Sequence, residues 1–251
     1  MKKSLLEMTQ DILSDMTDDE VNSIDDTFAS QQVAAIIRST YEAMLSNRNW
    51  PHTRKLVQVA PYSQQDLPTH MILQSDIKEL CFLNYNCAPL GSARLDFVPM
   101  VWKEPDDFLR FLNTRDSTKP NTISVKDRSG VILLIVTDKH PTYYTSFDDS
   151  TLVFDSYDMS VDSSLQESKV QAMAYINPAW SHLDNFIPDL PAEAFSALLN
   201  EAKSTAMFRL KQTQDVKAEK ESIKQQRWLS RKAWRVNGGI QYPNYGRKGR
   251  R

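Results

Sequence analysis

The chain has 251 residues, 41% apolar and 25% charged, enough for one large folded domain or two smaller ones sharing a core. Four of its six glycines fall at Gly238, Gly239, Gly246 and Gly249, leaving Gly91 and Gly130 for everything before them, which argues against a phosphate-cradling loop. The net charge of −2 hides a polarity: from Lys217 to Arg251 eleven Lys or Arg face Glu219 and Glu221, a net of +9, so the remainder carries −11. The first thirty residues alone set eight acids (Glu7, Asp11, Asp15, Asp18, Asp19, Glu20, Asp25, Asp26) against Lys2 and Lys3. An acidic head and a basic tail suit a chain that meets a charged partner, or its own neighbour, end to side; a solubilising tail is the plain alternative.

The first predicted element is an amphipathic helix over residues 4–17, with Leu5, Met8, Ile12, Leu13 and Met16 on one face. A polar linker follows, in which Asp25, Asp26 or Thr27 can cap a second helix whose stripe is Val33, Ile37, Tyr41 and Met44 and which Asn49-Trp50-Pro51 ends. From Thr53 the texture turns to short β-branched and aromatic runs, predicting strands near 54–60, 69–74, 79–84, 95–102, 121–126, 130–137, 142–147, 150–155 and 170–176. Hairpin turns are expected at Asp127-Arg128-Ser129-Gly130 and Asp148-Asp149-Ser150. Glu104 to Thr114 interrupts as a helix with Phe108, Leu109, Phe111 and Leu112 on its apolar face. Pro188 and Pro191 announce the return to helix with Asp189 as its cap, and Phe195, Leu198, Leu199, Ala202, Ala206 and Leu210 form its stripe. No Gly or Pro interrupts the chain from there to Gly238, so one helix from 192 to 235 is expected, about 66 Å long, its distal half beyond any core and bound to something or projecting. Val216, Ile223 and Trp228 are its remaining apolar positions, and the segment from Val236 has loop composition, expected to be disordered by itself.

The fold class that follows is α+β. Residues 1–50 and 188–215 are expected to form a helical bundle, 51–187 an inserted antiparallel β-rich domain, and 216–251 a basic C-terminal helix and tail. Cys81 and Cys87, at a C-x5-C spacing that fits no zinc or redox motif, read as buried thiols of a reducing compartment. Met1-Lys2-Lys3-Ser4 opens no signal peptide, and the longest apolar run, Val131 to Val136, is too short for a bilayer, so a cytosolic protein without membrane contact is expected.

Chemistry is thinly signalled. His52, His70, His140 and His182 are scattered without metal-ligand spacing, no G-x-S-x-G elbow occurs, and no cofactor or metal is expected. Asp148, Asp149 and Asp155 admit a carboxylate pair, though acids at a hairpin tip are more often turn formers. The strongest constellation is C-terminal, where Arg227, Trp228, Arg231, Lys232, Trp234 and Arg235 interleave cations with tryptophans and Tyr242, Tyr245, Arg247 and Arg250 follow. On a helix Arg227, Arg231 and Trp234 share a face, as do Trp228, Lys232 and Arg235. Trp and Arg dominate interface hot spots, and exposed tryptophans without a cover invite aggregation. A protein groove ranks first as the partner, folding back on the chain's own body second, and nucleic acid third, since the rest of the chain is acidic.

Several phrases are familiar: Leu5-Leu6-Glu7-Met8-Thr9-Gln10-Asp11-Ile12-Leu13, Glu20-Val21-Asn22-Ser23-Ile24-Asp25-Asp26-Thr27, Ser30-Gln31-Gln32-Val33-Ala34, Asn47-Arg48-Asn49-Trp50-Pro51 and the hairpin Pro141 to Asp149 with Leu152 to Asp158. Across essentially the whole chain these resemble head-to-tail adaptor proteins of short-tailed phages, the tail tubular protein A group and related ring proteins. The resemblance implies a virion structural protein assembled in the host cytoplasm, without catalysis, forming a ring of typically twelve copies beneath the portal. Its partners would be the portal protein, a tail nozzle or second ring protein, and further copies of itself. Tail fibres are a further candidate, and genomic DNA would pass through the channel without specific binding. The portal-gripping role would fall to Arg227–Arg251, a tail longer and richer in tryptophan than the family pattern. Acids of the amino-terminal half would line the channel and let DNA slide. A nucleic-acid-binding protein using its basic tail, another tail-ring or nozzle component, and a virion-borne cell-wall hydrolase are the competing readings.

Overall fold

A computed structural model describes residues 2–17, 20–62, 66–88 and 92–236, the side chains of Thr17 and of 231–236 excepted. The helices are α1 (Leu5–Thr17), α2 (Phe28–Ser46), α3 (Pro105–Asn113), α4 (Phe195–Lys211) and α5 (Val216–Val236). The strands are β1 (Arg54–Val57), β2 (Ala60–Pro61), β3 (His70–Ile72), β4 (Ile77–Asn86), β5 (Phe97–Pro99), β6 (Val101–Trp102), β7 (Thr122–Lys126), β8 (Ile132–Val136), β9 (Tyr143–Ser146), β10 (Thr151–Phe154) and β11 (Val170–Ile176). The chain is mixed α+β and divides into two compact units, one made of the segments up to Thr53 and from Pro178, the other of Arg54–Asn177. No helix among the described residues is long and apolar enough to cross a membrane.

In the first unit, α1 opens with a reciprocal cap: the Ser4 Oγ accepts from the Glu7 N–H while the Glu7 carboxylate accepts from the Ser4 N–H. The N–H groups of Leu5 and Leu6 find the carbonyls of Phe186 and Asp184, so the helix end is satisfied by the returning chain. Thr27 caps α2 through the same kind of box with Ser30. The linker before it is less polar than its composition suggests, because Val21 and Ile24 are buried. Leu5, Met8, Ile12 and Leu13 of α1, Val33, Ile37 and Tyr41 of α2, and Phe195, Leu198, Ala202 and Ala206 of α4 make one core. Met16, Leu199 and Leu210 pack at its margin.

The helix at the C-terminal side departs from expectation twice. It starts at Phe195 after Ala194, with no side-chain cap. Asp189 is not that cap, since its carbonyl instead accepts from Tyr41 and sits 2.8 Å from His52 Nε2. Nor does the helix run on to 235. At Gln212 the backbone turns left-handed (φ 54), the N–H groups of Gln212 and Thr213 both return to the Met207 carbonyl, and α5 starts anew under an Asp215 cap. The two helices pack on each other as a hairpin. Burying Ala218, Ser222 and Leu229 of α5 offsets the loss of one continuous helix.

The second unit holds two sheets and a hairpin. One sheet has the order β1-β11-β4-β5, all antiparallel; the other has the order β2-β3-β10-β9-β6, with β6 parallel to β9. Residues 54–60 and 95–102, each expected as a single strand, are each split between the two sheets. The chain passes across at Val59 and at Met100, both buried in the core the sheets share, so side-chain burial at the crossing breaks what the sequence writes as one run. β7 and β8 pair through the Asp127–Gly130 turn, where Gly130 takes φ 88, and β9 and β10 through a turn with Asp149 at φ 58. Phe108 and Leu112 of α3 and all four residues of β10 are buried in the core. Cys81 and Cys87 are half-buried rather than buried, and burial raises both thiols above the ordinary range.

Candidate interaction surface on the C-terminal helix

The inner face of α5 is small and polar. Ser222 donates to the Glu201 carboxylate at 2.5 Å, and the Gln225 side-chain oxygen accepts from Ser196 at 2.9 Å and Asn200 at 3.5 Å. Lys203 on α4 ties the seam further, 2.7 Å from Asp15 of α1 and 3.7 Å from Asp215 of the α5 cap. Helical spacing then sends Val216, Lys220, Ile223, Lys224 and Arg227 to the outer face. Val216, Ile223 and Trp228 are 48%, 43% and 51% exposed, so the remaining apolar positions of the distal helix are on its surface, among cations.

Arg227 borders a groove of about 370 Å³ between the end of α2 and α5, lined also by Met44, Asn47, Arg48, Ile223 and Ser230. Arg48 lies 3.9 Å from the centre of the Trp50 ring and donates to Ser230 at 2.8 Å, and burial lowers its guanidinium from the usual range. In the sequence Arg48 carries a single signal, its place two residues before Trp50. Of the expected partner-binding residues, Arg227 and Trp228 are exposed side by side on α5. The helix backbone continues through Arg231, Lys232, Trp234 and Arg235, whose side chains lie outside the described residues, as do Tyr242, Tyr245, Arg247 and Arg250.

The other polar clusters are structural in character. Asp148 accepts from the N–H groups of Ser150 and Thr151, as a turn former does, and hydrogen bonds from those residues hold its carboxyl below the ordinary range against the opposing pull of burial. Asp155 is not its partner. Asp155 is buried, pairs with Arg115 at 2.8 Å, and accepts from the N–H groups of Thr142 and Tyr143 at 2.9 Å each. Arg115 donates as well to the carbonyls of Leu134 and Asp155 and lies over the Phe111 ring, so it joins the end of α3 to β8, β9 and β10. His70, fully buried, meets Asp127 at 3.0 Å. Among the described residues no three His, Cys, Asp or Glu side chains gather as a metal would require. The notch lined by Tyr85, Cys87, His140, Tyr157, Asp158 and Lys169 holds about 40 Å³, room for water rather than a substrate.

The class that fold and surface define is an α+β protein presenting a basic, tryptophan-bearing helix face. Set against models of known protein families and against curated proteins, the chain matches none.

Proposed function

We propose that this chain is a virion structural protein, a head-to-tail adaptor whose copies form a ring joining portal to tail and continuing the DNA channel. In that reading the helical unit is a bundle built from both ends of the chain, and the β-rich unit is an insertion that faces the tail. The observation that carries it is the outer face of α5, where Trp228 and Arg227 stand exposed on a net-positive segment of an otherwise acidic chain. A protein groove with acidic walls would take the tryptophan as an anchor and the arginine as a bidentate donor. The sequence phrases that resemble those of adaptor proteins support the same reading.

The experiment is mass photometry of the purified chain mixed with portal rings of short-tailed phages. Cutting the chain after Leu210 would strip Leu229 from the helical core, so the informative variants keep α5: Arg227→Glu with Trp228→Ala, and a chain ending at Val236. Full-length chain is expected to load in many copies and the double variant to load at least about 30-fold more weakly, as for a hot-spot pair. Equal loading by all three would move the interface away from α5.

Lys217, Lys220, Lys224 and Arg227 favour one second reading, nucleic-acid binding through the same helix. That reading requires a DNA affinity that falls steeply with salt. Salt-insensitive or absent binding removes it.

A further inference from the structure

The buried face of α4 does not end where α4 ends. Phe195, Leu198, Leu199, Ala202, Ala206 and Leu210 follow at helical spacing, and Thr213, Val216, Lys220, Ile223 and Arg227 continue in the same steps of three and four beyond the break. On an uninterrupted helix these residues share one face. In the hairpin the apolar members of that continuation, Val216 and Ile223, face solvent, while the groove on α4 is filled by a second stripe, Ala218, Ser222 and Leu229. The segment thus carries two patterns at once, an inner one that suits a hairpin and an outer one that suits a rod.

The connection agrees. Residues 212–215 contain neither Gly nor Pro, and Gln212 holds the left-handed conformation, which an L side chain adopts only under strain. Nothing in the composition of Gln212-Thr213-Gln214-Asp215 forbids helix. The polar part of the seam, beside the Lys203 ion pairs, is hydrogen bonds from Ser196, Asn200 and Ser222 to Gln225 and Glu201, each of modest net worth and each able to form equally well between chains.

We propose that α5 is exchanged between copies: residues 195–236 straighten into one helix, and the α5 of one chain occupies, on a second chain, the groove that α5 fills here. The occupant is a second copy because the groove's hydrogen-bonding set and its small-residue fit are complementary to this helix, Ala218, Ser222, Gln225 and Leu229 in register. Exchange remakes the hydrogen bonds of Ser196, Asn200 and Ser222 and the burial of Ala218 and Leu229, gives up the Asp215 cap, and removes the left-handed residue. It also aligns Val216 and Ile223 with Leu210 on one face of the straightened helix. The exchange does not rest on the adaptor reading, since portal capture tests that reading and the hinge tests this one.

The test uses the full chain in three forms: unaltered, Gln212→Gly, and Gln212→Ala with Thr213→Ala and Gln214→Ala. Sedimentation velocity over a concentration series should show the glycine form shifted toward monomer and the alanine form toward oligomer. The glycine shift should be about fivefold, the factor that left-handed strain is worth, and the alanine shift of similar size, from the helix propensity of three alanines. A distance measurement then separates exchange from ordinary association. Spin labels are placed at Ser196→Cys and Ser230→Cys in a chain carrying Cys81→Ser and Cys87→Ser, diluted into unlabelled chain with the native hinge. In the oligomer fraction the two labels of one chain should lie about 51 Å apart, 34 residues of continuous helix. A separation within about 20 Å there, as packed neighbouring helices give, overturns the proposal. So does a chain that stays monomeric in all three forms.

Discussion

Two polar clusters, Arg115 with Asp155 in the β-rich unit and Lys203 with Asp15 and Asp215 in the helical unit, are built from the same chemistry at different depths. Arg115 and Asp155 side chains are 12% and 5% exposed, and the carboxylate receives two backbone N–H groups besides the guanidinium. Around Lys203 the acids stand 54% and 20% exposed, and the neighbouring contacts are hydroxyl and amide hydrogen bonds. Burial decides what each cluster can do. A deep pair cannot lose one member without stranding a charge, which fixes four elements together. The polar contacts of a shallow seam can be replaced by water at little loss, so α5 is held mainly by the burial of Ala218 and Leu229.

The largest expected effect breaks the deep cluster. Arg115→Ala leaves Asp155 buried and unpaired, and should lower stability by about 3–5 kcal/mol in urea unfolding; a loss under about 1 kcal/mol would mean the pair is wetter than its burial suggests. Next comes acid. Burial lowers the His70 imidazole from its ordinary range against the raising pull of Asp127, so below about pH 6.5 the unfolded chain takes up a proton that the folded one refuses. For Asp127 burial acts upward, but hydrogen bonds from Ser129 and His70 outweigh it and hold the carboxyl low, so its contribution is present at neutral pH and is also lost as pH falls. Both slopes have the same sign, but only His70 acts in the higher window: Tm should drop between pH 7 and pH 5, that drop should flatten in His70→Gln, and Asp127 adds to the loss only below about pH 4. An unchanged slope in that variant would assign the pH dependence to other groups.

The shallow seam gives the smaller effects. Glu201→Ala removes the acceptor of the Ser222 hydroxyl and should lower stability by about 1 kcal/mol, while speeding hydrogen exchange of α5 ahead of α1 and α2. Uniform acceleration across the three helices would show that the seam is as firmly held as the core. Smallest is Asp15→Asn, expected below about 1 kcal/mol and vanishing at high salt, because half of that carboxylate faces water.

The mixed α+β class was legible because residue type and period agree locally. The stripe of α1, the Thr27 cap, the hairpin glycine at 130 and the β-branched and aromatic runs of β7 to β10 each announce themselves within a few residues. The Ser4–Glu7 cap is equally local, a reciprocal pair three residues apart. What misled were features decided at long range. Nothing within 210–217 says that the helix breaks at Gln212; the reason is the fit of Ala218, Ser222 and Leu229 to a groove assembled from elsewhere. Val59 and Met100 likewise look like ordinary strand residues until two sheets claim the segments on either side of them. Asp189 looked like a cap, whereas its carbonyl serves Tyr41, whose hydroxyl burial, together with the nearby Asp189 charge, pushes up to about 12. On the candidate surface, Arg227 and Trp228 stood out by composition alone, whereas Arg48, a neighbour only in space, did not.

The β-rich unit begins with β1 and ends with β11, and these two strands lie side by side in antiparallel register, Arg54 opposite Tyr175. Its entry and exit therefore leave from one place. A pulling force applied through both attachments would load the ladder one rung at a time, like a zip opened from its end, instead of shearing all rungs together. The β1–β11 pair would then yield first and act as a mechanical fuse, letting the strands behind it keep their pairing while the first rungs part.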